Sequence, residues 1–120
     1  MKYSILFYVR DFDQAKNDEE RASIIEDVKQ RIAGFERDRD TAWNDMRDSY
    51  CKEDKARDAH ENTYEFMTVA RQKEEELKEL LDDIEDYRKL LRFLQYEVAK
   101  RILSARMMQR QMSVQIGGMK

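Results

Sequence analysis

The feature that most restricts the fold is a heptad pattern in the second half of the chain. Over six repeats, apolar side chains alternate at spacings of three and four residues, which places them on one stripe of an α-helix that faces another helix. The residues of this stripe are Phe66, Ala70, Leu77, Leu80, Ile84, Tyr87, Leu91, Leu94, Val98, Ala105 and Met108. Lys73 and Arg101 are its exceptions. The pattern predicts a long helix over residues 63–109.

A second long helix is predicted upstream, over residues 17–59. Asn17 and Glu20 have the spacing of a capping box, and acidic residues fill the first turn, where the helix dipole favours them. Its apolar stripe follows the same spacings and consists of Ile25, Val28, Ile32, Phe35, Ala42 and Met46, with Arg39 as an interruption. Gly34 lies inside this pattern with no proline after it, so we expect a kink or a close helix contact there rather than an end.

A reversal of direction is predicted between the two helices, near residues 59–63. Asn62 can cap a new helix, with Glu65 at the capping-box position. Folding the second helix back on the first at residue 62 places position i beside roughly 124 minus i, which brings the two apolar stripes together. It also places the acidic start of the first helix beside Lys100 and Arg106. The sequence therefore predicts a long, coiled-coil-like antiparallel hairpin.

Both ends of the chain alternate apolar and polar residues as β-strands do. Residues 3–10 place Tyr3, Ile5, Phe7 and Val9 on one face, and residues 111–116 alternate Met112, Val114 and Ile116 with polar residues. The hairpin would bring the two ends together, and Gly117 and Gly118 would end the pairing. We therefore expect a mainly α fold with a small two-stranded antiparallel ribbon formed by the N- and C-terminal segments.

Length and composition indicate one domain over residues 1–120. Charged residues make up 41% of the chain and proline is absent, as is typical of long helices. Cys51 is the single cysteine, so no intramolecular disulfide can form; this fits a reducing compartment, and we expect a cytoplasmic protein with a solvent-facing thiol. The N-terminal apolar run is too short to cross a bilayer, and no membrane association is expected.

Residue patterns for catalysis or metal binding are missing from the sequence. His60 is the single histidine, and no phosphate-binding glycine loop or Cys-x-x-Cys pair accompanies it. Carboxylate pairs such as Asp82 and Asp83 fall outside the heptad stripe, where a solvated helix face explains them better than acid–base chemistry. We therefore expect a non-enzymatic protein without a cofactor or a metal.

Surplus apolar residues near the end of the second helix indicate packing on more than one side. They lie off the heptad stripe and are Leu90, Phe93, Leu103 and Met107. The terminal ribbon would cover them if it folded onto the helix, and a second copy of the chain would cover them in a four-helix base. We favour the homodimer.

A basic stripe on the same helix offers a nucleic-acid surface. It consists of Lys89, Arg92, Lys100, Arg106 and Arg110, with Tyr96 among them. Cations interleaved with an aromatic can follow a phosphate backbone. The alternative is that Lys100 and Arg106 pair with the acidic start of the first helix, and the overall charge of −3 argues against non-specific affinity for nucleic acid.

Trp43, Met46 and Tyr50 stand out in a stretch that is otherwise polar. Exposed aromatics on a charged helix are frequent hot spots for a protein partner, whereas Trp43 would lose that role if it packed on Leu81. Our leading hypothesis is an adaptor, assembly chaperone or inhibitor that presents this charged helical surface to a protein. A nucleic-acid-binding accessory protein that uses the basic stripe is the alternative.

Overall fold

The chain is almost entirely α-helical, which confirms the mainly α class. The structure, a computed structural model, describes residues 3–118, with side chains described for residues 4–111. Its helices are α1 (Tyr3–Gln14), α2 (Asp18–Asp58) and α3 (Tyr64–Gly118). Two compact units divide these helices between them: unit 1 comprises Met1–Asp27 with Lys89–Lys120, and unit 2 comprises Val28–Arg88. No helix within the described range is long and apolar enough to cross a membrane.

The predicted terminal ribbon is wrong. Residues 3–10 lie in α1 and residues 111–116 lie in α3, and residues 3–118 contain no strand. In α1 the buried residues are Ile5 and Phe12, with Tyr8 and Val9 half-buried between them. This spacing of three, four and seven residues is a helical stripe. A helix pairs the backbone amides beyond its first turn within the segment, whereas a two-stranded ribbon is marginal alone.

Side chains fix the start of α2 as the sequence pattern indicates. The Asn17 side-chain oxygen accepts a hydrogen bond from the backbone N–H of Glu20 at 2.8 Å, and the Glu20 carboxylate accepts one from the backbone N–H of Lys16 at 2.8 Å. Two otherwise unpaired amides of the helix start are thereby satisfied. The helix then runs through Gly34, where an added Cβ would meet the Arg37 guanidinium at an ordinary 3.7 Å. Gly34 therefore marks no close approach of another helix.

The reversal between α2 and α3 is a Schellman turn centred on His60. The Glu61 N–H donates to the Ala56 carbonyl at 2.7 Å and the His60 N–H donates to the Arg57 carbonyl at 3.1 Å. His60 takes the left-handed conformation that this motif requires, with a φ of 56°. The Asn62 side chain then accepts a hydrogen bond from the Tyr64 N–H at 2.9 Å, and α3 begins there.

Unit 2 is an antiparallel helical hairpin with the predicted register. The Arg88 guanidinium donates to Glu36 at 3.0 Å and the Tyr50 hydroxyl donates to Glu74 at 3.4 Å, and the residue numbers of both pairs add to 124. Along α2 the buried positions continue at heptad spacing well past the apolar stripe: Val28, Ile32, Ala42, Ser49, Glu53 and Ala56. Ala70, Ile84 and Tyr87 are buried on α3. The stripe therefore runs the whole length of the hairpin.

Unit 1 places α1 with the first turns of α2 and the second half of α3. Its buried side chains are Ile5, Phe12, Leu90 and Leu94, and the Arg101 guanidinium lies 5.6 Å from the centre of the Phe12 ring. From residue 99 to residue 111 every side chain of α3 is exposed. Ala105 and Met108, which the heptad pattern assigned to the buried stripe, are among them.

Candidate functional site

Exposed aromatic and aliphatic side chains collect on one side of the unit 2 hairpin. We call this surface the aromatic flank and define it by Trp43, Met46 and Tyr50 of α2 with Leu81 of α3. Trp43 is 45% exposed, Tyr50 38% and Leu81 47%, while Met46 is half-buried. Trp43 and Tyr50 directly follow the buried residues Ala42 and Ser49, and Met46 lies on the same side of the helix. The three residues therefore line the edge of the helix interface.

Trp43 keeps a large part of its ring in solvent. The hairpin register sets Leu81 opposite Trp43, because the two residue numbers add to 124, yet both side chains remain nearly half exposed. The Arg47 guanidinium lies 5.2 Å from the centre of the Trp43 ring, within the range of a cation–π contact. The Trp43 ring is thus held in place and remains available to another molecule.

Tyr50 joins the two helices of the hairpin at this flank. Its hydroxyl donates to the Glu74 carboxylate on α3. Partial burial of the phenol, followed by the negative charges of Glu74 and Glu53, raises the pKa of Tyr50, against a smaller opposing effect of Arg71. The phenol therefore stays protonated and acts as a hydrogen-bond donor rather than a base.

The other side of the hairpin carries an acidic groove of about 380 Å³. It is lined by Asp38, Thr41, Ala42, Asp45, Lys73, Glu76, Glu79, Leu80 and Asp83. The Lys73 ammonium lies 3.8 Å from Asp45 and 3.3 Å from Glu76, so it spans the groove between the helices. Among the described residues no group of three or more His, Cys, Asp or Glu side chains is arranged to hold a metal ion.

The predicted basic stripe is exposed along its whole length in unit 1. Lys89, Arg92, Lys100, Arg106 and Arg110 are all on the surface. The expected pairing with the acidic start of α2 is wrong: within residues 4–111 no ion pair joins Lys100 or Arg106 to that segment, and Asp18 pairs with Arg21 of its own helix at 2.8 Å. The charges of Lys100 and Arg106 are therefore available to solvent or to another molecule.

The residues predicted to pack the base separate into two groups. Leu90 is 4% exposed and belongs to the core of unit 1, whereas Phe93, Leu103 and Met107 are 45%, 59% and 55% exposed. Sequence reasoning did not single out Leu6 and Ile102, which are equally exposed at 49% and 48%. Ile102 stands directly before Leu103 in a run of α3 without acidic residues, and this adjacency was the available signal.

Sequence reasoning also missed the buried carboxylate of unit 2. Glu53 is 5% exposed at a heptad position of α2 and forms an ion pair with Arg57 one turn later. Positions 42, 46, 49 and 53 are separated by four, three and four residues, so Glu53 continues the heptad pattern. Its charge concealed this, because a charged residue is not expected at a buried position.

Comparison with protein-family models, with curated proteins and with solved structures finds no match to this chain.

Proposed function

We propose that the chain is a non-enzymatic protein-interaction module, of the adaptor, assembly-chaperone or inhibitor type, which binds a protein partner through the aromatic flank of unit 2. The observation that carries the proposal is the exposure of Trp43, at 45%, on a stripe that also holds Tyr50 and Arg47. Trp, Tyr and Arg are the residue types most enriched among interface hot spots.

The flank is held ready for binding by contacts within the hairpin. Arg47 stacks over Trp43, and the Tyr50 hydroxyl is tied to Glu74 across the two helices. Side chains that are already ordered lose less conformational entropy when a partner arrives, which favours affinity. Leu81 extends the apolar surface onto α3, so a partner would contact both helices.

The charge around the flank favours a partner with a basic rim. Residues 28–88 carry twelve Lys and Arg against eighteen Asp and Glu, a net charge of −6. Complementary charge at an interface rim raises the association rate and selects among partners. We therefore expect the partner to combine an apolar patch with surrounding Lys or Arg side chains, and we expect added salt to slow its association.

Affinity capture from the native host with the double variant Trp43→Ala/Tyr50→Ala tests the proposal. We expect the partner recovered by the native chain to bind the variant at least about 30-fold more weakly, the typical effect of removing a hot spot. Tyr64→Ala is the matched control, because Tyr64 is 72% exposed and lies outside the flank. Circular dichroism checks that helicity is retained, and capture that is equal for the native chain and the double variant would remove this surface from consideration.

Nucleic-acid binding is the second candidate, favoured by the exposure of the basic stripe and by the missing pairing of Lys100 and Arg106 with α2. Reversal of Arg92 and Arg106 to Glu should abolish a shift of DNA or RNA at low salt, and binding by the native chain should weaken steeply as salt is added. A native chain that shifts neither DNA nor RNA at low salt would exclude it.

A further inference from the structure

Unit 1 contains two segments of opposite charge. Residues 4–27 hold three Lys and Arg against seven Asp and Glu, a net charge of −4, while residues 99–111 hold four Lys and Arg and no acid, a net charge of +4. We call these the acidic N-terminal segment and the basic tail. Their charges match in size, yet no ion pair joins them within the described residues.

Both segments also expose apolar side chains beside their charges. In the basic tail Ile102, Leu103, Met107 and Met108 are between 48% and 65% exposed. In the acidic segment Leu6 is 49% exposed, and Asp13 lies on the same side of α1 seven residues later. Every residue from 99 to 111 is exposed, so this stretch of α3 gains little of the tertiary packing that is the main source of helix stability in proteins.

We propose that unit 1 is a reciprocal dimerisation surface on which the basic tail of one copy packs against the acidic N-terminal segment of a second copy, and the reverse. A two-fold axis makes each such contact occur twice, so the two segments, which no ion pair joins within the described residues of one chain, would be paired between two copies. Contact between two tails would instead oppose like charges at Lys100, Arg106 and Arg110. The charge pattern therefore selects the reciprocal arrangement and a second copy as the occupant.

A charge-exchange experiment on the full-length chain tests this arrangement. The tail variant carries Lys100→Glu, Arg106→Glu and Arg110→Glu, and the segment variant carries Asp11→Lys, Asp13→Lys and Glu26→Lys; all six positions are exposed. In sedimentation velocity at low salt we expect the native chain to dimerise and each variant alone to dimerise at least about 30-fold more weakly. An equimolar mixture of the two variants should restore the dimer, because each interface then joins an acidic to a basic segment.

A second variant separates the apolar contribution from the charge. Leu103→Gln/Met107→Gln leaves the net charge unchanged and keeps helix-forming residues, and we expect it to weaken the dimer at least about tenfold. Val69→Gln is the control, because Val69 is 41% exposed in unit 2 and lies outside both this surface and the aromatic flank. It also keeps this test separate from that of the aromatic flank.

Three outcomes would overturn the proposal. A native chain that sediments as a monomer at low salt would show that no second copy covers these segments. A segment variant that dimerises as tightly as the native chain would mean that the acidic segment is not in the interface. A mixture of the two variants that stays monomeric would exclude the reciprocal pairing.

Discussion

The rings of Phe35 and Tyr87 contact each other across the two helices of unit 2, with centroids 5.2 Å apart and planes at 49°. Tyr87 is only 1% exposed, and the Arg31 guanidinium lies 5.6 Å from the centre of its ring. Ring pairs at this centroid distance that avoid a face-to-face arrangement add to the free energy of burial. The contact therefore fixes the register of the hairpin at one end of unit 2.

Replacing Tyr87 by alanine should destabilise the fold strongly. We expect Tyr87→Ala to lower the free energy of unfolding by about 3–5 kcal/mol, through lost burial and the cavity left beside Phe35. Urea denaturation followed by circular dichroism measures the change. Tyr64→Ala removes a ring that is 72% exposed, so it should cost no more than about 0.5 kcal/mol. Equal losses in the two variants would show that the ring pair does not support the hairpin.

The register of this hairpin was predictable because the heptad pattern is apolar at positions that the structure buries. Ile84 and Tyr87 are both in the predicted stripe and both buried. Farther along α2 the same spacing falls on Ser49 and Glu53, whose polarity indicated solvent although the structure buries them. In unit 2 the sequence period indicates which residues face the partner helix, but residue type misled at the small polar Ser49 and the charged Glu53.

Arg57 should matter for stability although it is largely exposed. Glu53 is 5% exposed and pairs with Arg57, so removing the guanidinium leaves a buried carboxylate without its counter-charge. We expect Arg57→Ala to lower the free energy of unfolding by about 1–3 kcal/mol. Lys52→Ala, at an exposed position of the same helix, should change it by less than about 0.5 kcal/mol. If the two variants are equally stable, the pair contributes nothing to the fold.

The N-terminal segment shows how a short pattern can fit two structures. The alternation of Ile5, Phe7 and Val9 predicted a strand, while Ile5, Tyr8, Val9 and Phe12 make a helical stripe. Only the second set includes Phe12, which is 1% exposed. The strand interpretation ended at residue 10 and left this large side chain without a place in the core, a conflict that was visible in the sequence.

His60 should be a site where glycine stabilises the protein. Its φ of 56° places a side chain in the left-handed region, which glycine adopts without the steric cost that a Cβ imposes. We expect His60→Gly to raise the free energy of unfolding by about 0.5–1 kcal/mol, after subtraction of the greater entropy of glycine in the unfolded chain. His60→Ala keeps a Cβ and should give no such gain. A glycine variant that is less stable than the alanine variant would contradict this account of the turn.

For the aromatic flank, the residues were predictable and their surroundings were not. Trp43 and Tyr50 stand out from a polar stretch by residue type alone. Whether Trp43 packs on Leu81 or faces solvent depends on the distance between the helices, which the residue pattern does not give. The contact of Arg47 with Trp43 and the hydrogen bond from Tyr50 to Glu74 likewise depend on side-chain positions, which the sequence does not give.

Stability at alkaline pH should depend on the Tyr50 hydroxyl. In the unfolded chain the phenol ionises with its ordinary pKa of 10.0, and in the folded chain partial burial and the Glu74 carboxylate raise that pKa. The folded state therefore holds the proton more tightly, so this contribution to stability is complete below pH 10 and is lost as the pH rises from there through the folded pKa.

Tyr50→Phe isolates the effect, because it keeps the ring and removes the ionising group. Urea denaturation on either side of pH 10 should show the native chain losing more stability than the variant as the pH rises. The difference between their near-ultraviolet phenolate titrations should place the pKa of Tyr50 above 10.0, and Glu74→Gln should bring it back toward that value because the neighbouring negative charge is gone. A Tyr50 titration at or below 10.0 in the folded chain would mean that the hydroxyl is not tied to Glu74, and the ordered flank that this bond supports would lose one of its two fixed aromatic side chains.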